Sequence, residues 1–86
     1  QNYPNPFNPI TRIDYELPKA EFVSLKIYDI MGREVVSLIN KVQKKGRKFA
    51  LWDATNNLGQ SVSAGMYIYT IQAGEFRKTK KMVLLK

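Results

Sequence analysis

Gly65-Met66-Tyr67-Ile68-Tyr69-Thr70-Ile71-Gln72-Ala73-Gly74-Glu75-Phe76 is the stretch whose reading decides the fold. From Met66 to Gln72 it is dominated by β-branched and aromatic residues, the types that fill a pleated, half-buried surface. Ala73-Gly74 predicts a short hairpin connection. The chain then returns from Phe76 to Leu85, ending in the apolar run Met82-Val83-Leu84-Leu85. Two strands joined this tightly must lie side by side and antiparallel. Tyr67 and Tyr69 share one face of their strand, since residues two apart point the same way.

The same pattern extends towards the N-terminus. Arg47 to Asp53 predicts a strand with Phe49 and Leu51 on one face and Ala50 and Trp52 on the other. Trp52, the only tryptophan, is expected to anchor the core. Thr11, Ile13, Tyr15 and Leu17 alternate with Arg12, Asp14 and Glu16. Val23, Leu25 and Ile27 alternate with Ser24 and Lys26. Both runs have the period of two of a half-buried strand. Pro18-Lys19-Ala20, Asp29-Ile30-Met31-Gly32 and Lys44-Lys45-Gly46 read as turns. Glu34 to Asn40 is ambiguous, because Val35, Val36, Leu38, Ile39 and Val42 also fit helical spacing. Its shortness, its β-branched content and the hairpin-type turn before it favour a strand. Six or seven short strands with regular turn signals predict an all-β fold, a small and mostly antiparallel β-sandwich.

Residues 1–9 form a separate lead, Gln1-Asn2-Tyr3-Pro4-Asn5-Pro6-Phe7-Asn8-Pro9. Its prolines fix φ and remove backbone donors, so it is neither helix nor central strand. Tyr3 and Phe7 are expected to pack this lead on the sandwich formed by residues 10–86. The chain opens without Met and reads as a piece of a longer protein. No apolar run approaches the length of a transmembrane helix.

Much chemistry is excluded at the outset. There is no histidine and no cysteine, so neither a Ser/His/Asp nor a Cys/His nucleophilic site is available. The glycines at 32, 46, 59, 65 and 74 stand singly, and no phosphate-binding loop is present. Asp53, Asn56 and Asn57 offer oxygens to a calcium ion, but their spacing is not that of an EF-hand and turn formation accounts for them equally. The expectation is a non-enzymatic module with no cofactor and no metal.

The net charge of +7 is unevenly spread. Lys41, Lys44, Lys45, Arg47 and Lys48 form one acid-free block. Arg77, Lys78, Lys80, Lys81 and Lys86 form another after Glu75. Such blocks attract anionic surfaces, but they also keep small sheet proteins soluble and protect their edges. Nucleic acid is not the expected partner.

Asn2-Tyr3-Pro4-Asn5-Pro6-Phe7-Asn8-Pro9 followed by a strand resembles the opening of the type A C-terminal sorting domain of the type IX secretion system. Val23-Ser24-Leu25-Lys26-Ile27-Tyr28-Asp29 leading into Gly32-Arg33-Glu34-Val35 is similar as well. So are Trp52-Asp53, Asn57-Leu58-Gly59-Gln60 and Gly65-Met66-Tyr67-Ile68-Tyr69, which look like the family's central signature. Lys80-Lys81-Met82-Val83-Leu84-Leu85-Lys86 resembles its closing motif. The middle portion also resembles the immunoglobulin-like domain of flagellar hook-capping proteins.

The resemblance implies an all-β fold, a small immunoglobulin-like antiparallel β-sandwich of about seven strands, serving as a sorting and anchoring module that directs an exported cargo through the outer membrane to the cell surface or the medium. It implies recognition by an outer-membrane translocon and release by a cell-surface sortase, with the cargo joined to anionic lipopolysaccharide. By the same resemblance Gly65, Tyr67, Lys80, Lys81, Met82, Val83, Leu84, Leu85 and Lys86 match the recognition motifs. The alternative is an accessory structural or carbohydrate-binding sandwich appended to a secreted enzyme. That alternative requires exposed aromatics at Trp52, Tyr67 and Tyr69.

Overall fold

The computed structural model describes residues 10–85. The expected lead at residues 1–9, and Lys86, lie outside these described residues. Among the described residues there are six strands: β1 (Thr11–Leu17), β2 (Glu21–Asp29), β3 (Glu34–Gln43), β4 (Gly46–Trp52), β5 (Gly65–Ala73) and β6 (Phe76–Leu84). They form a four-stranded sheet in the order β3-β2-β5-β6 and a two-stranded sheet of β1 and β4. Every pairing is antiparallel.

The alternation in each strand sets what faces the space between the sheets. Val23, Leu25 and Ile27 of β2 are completely shielded from solvent. Tyr67, Tyr69, Ile71 and Ala73 of β5 lie beside them, and Ile13, Leu17 and Trp52 close the core from the smaller sheet. On the outside of that smaller sheet, Phe49 and Leu51 are exposed, and the guanidinium of Arg12 sits 4.2 Å from the centre of the Phe49 ring.

The ambiguous segment is a strand, and it runs three residues further than Asn40. Its apparent helical spacing has a local cause. The register of β2 with β3 slips twice, pairing Leu25 with Ile39 but Lys26 with Ser37, and Ile27 with Val36 but Tyr28 with Glu34. Leu38 and Val35 are the extra residues of two β-bulges. Each bulge resets the side-chain alternation, so the buried pair Val36 and Ile39 stands three apart instead of two.

Two turns fold as their residues dictate. Gly32 has φ of 84° and closes the β2–β3 hairpin. Its N–H donates to the Asp29 carbonyl at 3.0 Å. The Asp29 carboxylate also gathers this turn: Oδ1 accepts from the N–H of Met31 (2.9 Å) and of Arg33 (3.0 Å), and Oδ2 from Arg33 Nε (2.8 Å). The Arg33 backbone N–H, helped by the Arg33 guanidinium and the Met31 N–H, holds the carboxyl of Asp29 below the usual aspartate range. A depressed carboxylate contributes stability that is complete above the unfolded-state value and is lost as pH falls through the folded one. Melting temperature is therefore expected to fall below about pH 4, and Asp29→Asn to flatten part of that acid limb while lowering the plateau at neutral pH. Parallel acid limbs in the two proteins would contradict this role.

The connection from β4 to β5 is ordered by its own side chains. Ala54 takes a left-handed conformation with φ of 66°, and this brings the Thr55 carbonyl back to accept from Trp52 Nε1 at 2.8 Å. Asn56 Oδ1 accepts from the N–H groups of Leu58 (2.9 Å) and Gln60 (3.0 Å). Asn57 reaches the outer edge of β3. Its N–H donates to the Val35 carbonyl (3.0 Å), its Oδ1 accepts from Ser37 N–H (3.0 Å) and its Nδ2 donates to Glu34 Oε2 (3.0 Å). The side-chain oxygens once open to a calcium ion at Asn56 and Asn57 thus tie the loop and cover the bulged edge.

Candidate recognition surface

The β5–β6 hairpin turns at Gly74-Glu75, with φ of 60° at Gly74, the first turn position, where a type II′ hairpin takes glycine. This two-residue turn fixes the register of the whole pair. Ala73 faces Phe76, Tyr69 faces Lys80, Ile68 faces Lys81, Tyr67 faces Met82, Met66 faces Val83 and Gly65 faces Leu84. Directly opposed residues share a face, so the hairpin sorts the candidate residues into two sets.

The inward set is structural. Tyr67 is 7% exposed and its ring meets Trp52 edge to face, with centroids 5.2 Å apart and planes at 71°. Its hydroxyl donates to the Ser63 carbonyl at 2.6 Å. Burial, with the charge of Asp29 adding to it, raises the Tyr67 pKa above the ordinary phenol value, so the hydroxyl remains a donor. Leu84 is buried, and Met82 packs half-buried against the same core. Gly65 extends the strand beside Leu84.

The outward set forms a surface. Val83 is 61% exposed beside Met66, and Lys81 is exposed beside the half-buried Ile68. Tyr28 of β2 pairs with Ile68 on its other side, and Leu85 is exposed beyond the strand end. The result is an apolar patch bordered by a lysine, built from both the central and the closing motifs. Lys80 belongs to neither set: it lies on the inner side opposite Tyr69 but is exposed. Met66, Ile68 and Tyr28 were not among the residues singled out in the sequence. The sequence places the connection at Ala73-Gly74; the turn residues are Gly74 and Glu75, and this one-residue shift moves every β5 partner by two, so that Met66 meets Val83 and Ile68 meets Lys81.

The aromatics required for a sugar-binding platform are not available on the surface: Trp52, Tyr67 and Tyr69 are 1%, 7% and 9% exposed. Among the described residues no cluster of acids suited to a metal occurs, and no helix is long and apolar enough to cross a membrane.

No curated protein matches the chain. Among solved structures it is similar to the crystal structure of the hook-capping protein FlgD from P. aeruginosa, with a TM-score of 0.68 at 22% identity. The match covers 87% of this chain and 59% of that one, and it supports the immunoglobulin-like sandwich. The model of the secretion system C-terminal sorting domain matches residues 1–85. Domains of that kind are C-terminal parts of proteins that the type IX system exports to the cell surface or the medium. With the match running over both motifs that meet on the β5–β6 hairpin, the chain belongs to the family of secretion system C-terminal sorting domains.

Proposed function

We propose that this domain directs an attached cargo through the outer membrane by presenting the outward face of the β5–β6 hairpin to the translocon. The observation that carries this reading is the division of the closing motif. Leu84 holds β6 in the core, while Lys81, Val83 and Leu85 project beside Met66. A terminal strand built this way is anchored and legible at once. Exposed apolar side chains grouped with a cation provide a contact that scattered surface residues do not. A cell-surface sortase then releases the domain and joins the cargo to anionic lipopolysaccharide. The burial of Trp52, Tyr67 and Tyr69 argues against the accessory carbohydrate-binding alternative.

The test is a fusion of residues 1–86 to a secreted reporter in a host with this export route. The intact fusion is expected at the cell surface. Met66→Glu and Val83→Glu are expected to abolish display while leaving the melting temperature within about 2–4 °C, since both sites are exposed. Periplasmic retention of the intact fusion, or normal display of both variants, would sink the proposal. Removing residues 80–86 is a weaker test, because it also removes Leu84 from the core.

A further inference from the structure

We propose that the free edge of β6 is a docking site for an extended, acidic segment of a partner protein, which joins the four-stranded sheet as a fifth strand. The inference rests on the sorting reading only in taking β6 as the strand that a partner reads.

The edge is open. The sheet order places β3 and β6 at its two margins. Asn57 covers the β3 margin at its first residues, where it occupies the Val35 carbonyl and the Ser37 N–H. Among the described residues no strand pairs with the outer margin of β6. A margin of this kind presents a row of unused backbone donors and acceptors.

Charge selects the occupant. β6 carries Arg77, Lys78, Lys80 and Lys81 and no acid. The ion pairs among described residues join Arg12 to Asp14, Lys19 to Glu21, Lys26 to Glu34 and Arg33 to Asp29, and none includes a β6 cation. Strand alternation sends Arg77 and Lys81 to the outer face and Lys78 and Lys80 to the inner one. A polyanion lying on either face meets half of these charges. A strand added at the edge runs between both pairs and meets all of them. Another β6 would bring like charges into opposition, which is destabilising. The charges that repel a second copy therefore favour an acidic strand.

The inner side offers an apolar contact as well. A cavity of about 130 Å³ lies between β1 and the β5–β6 hairpin, with Ile13, Leu17, Tyr69, Ile71 and Phe76 in its lining. Phe76 is 57% exposed there. The inward side chains of an added strand would continue the cover that the two-stranded sheet fails to give β6. Main-chain bonding supplies affinity in such a complex, and alternate side chains supply selectivity.

The test uses residues 1–86 and a capped peptide of valine, threonine and glutamate about as long as β6, with glutamate pairs spaced as Arg77-Lys78 and Lys80-Lys81 are. Fluorescence anisotropy measures binding, and amide hydrogen exchange reads the edge-facing N–H groups of β6. The peptide is expected to bind and to slow exchange at those amides. Methylating its backbone nitrogens is expected to weaken binding by about tenfold or more, as is K78E/K80E in a protein of unchanged melting temperature. R77E/K81E provides the same measurement from the other face. Absence of binding, or equal binding of the N-methylated peptide, overturns the proposal. So does binding of inorganic polyphosphate in preference to the peptide, or self-association that slows the same amides. Display lost in the Met66→Glu and Val83→Glu fusions without peptide binding overturns this inference and spares the sorting role. Peptide binding with normal display of those variants does the reverse.

Discussion

Trp52→Ala is expected to remove a large part of the domain's stability. A chain of this length has a total stability of about 4–13 kcal/mol. Replacing a buried tryptophan by alanine costs about 3–5 kcal/mol through lost burial and the cavity left behind. Trp52 is 1% exposed, and three contacts depend on it. Its ring fills the space between β4 and β5, it receives the edge of Tyr67, and its Nε1 donates to Thr55. The last contact ties the β4–β5 connection to the core. Trp52→Phe keeps an aromatic ring but leaves the Thr55 carbonyl without this donor, and is expected to cost less than Trp52→Ala. Urea unfolding followed by circular dichroism measures both. A loss below about 1 kcal/mol for Trp52→Ala would show that the smaller sheet does not depend on this anchor.

The second large effect separates neighbours in the closing motif. Leu84→Ala is expected to destabilise the domain by about 2–3 kcal/mol, the lower part of the range for buried leucine because the site lies at the end of the last strand. Val83→Ala, one residue away and 61% exposed, is expected to change stability by less than about 0.5 kcal/mol. Display should respond differently. Leu84→Ala should reduce it in proportion to the unfolded fraction and recover on cooling, whereas Val83→Glu should lose it in a folded protein. Equal destabilisation by Leu84→Ala and Val83→Ala would contradict the division of β6 into a holding face and a presented face.

On the proposed reading, this division lets a short apolar motif serve two purposes. Successive side chains on a strand point to opposite faces, so an uninterrupted run such as Met82-Val83-Leu84-Leu85 need not be core throughout. Met82 and Leu84 turn inward, and Val83 and Leu85 turn out. The same logic puts Tyr67, which the resemblance matched to the recognition motifs, on the inward face. Tyr67 braces Trp52 and Ser63, and any effect of its removal on sorting passes first through the fold.

Much of the molecule was legible from one dimension. The period of two marked β1, β2 and β4 and the faces of each, including the exposed Phe49 and Leu51. A tight hairpin joining β5 to β6 was legible too, but not its register: the connection read at Ala73-Gly74 lies at Gly74-Glu75, which shifts the pairing by two. β3 was harder to read because its two bulges break the alternation on which the reading depends. The expected count of about seven strands exceeded the six among the described residues. The left-handed Ala54 carries no sequence signal, since glycine or asparagine is the usual residue for that conformation. Nor did the sequence show that Asn57 would leave its own loop and bond to β3.

By itself the sequence determined that this is a sandwich without nucleophilic histidine or cysteine chemistry, and which side chains of each strand point together. Those properties follow from composition and from the local geometry of an extended chain. Only the tertiary structure decided that β1 pairs with β4 across two intervening strands, that the second sheet is two strands wide among the described residues, and that the inner side of β6 is exposed from Phe76 to Lys80 while Met82 and Leu84 are covered. Alternation tells a side chain which way to point, but not whether anything lies opposite; that depends on contacts between segments far apart in the chain. The exposure of Lys78 and Lys80 on the core side of β6, and the open edge beside them, arise at that level alone.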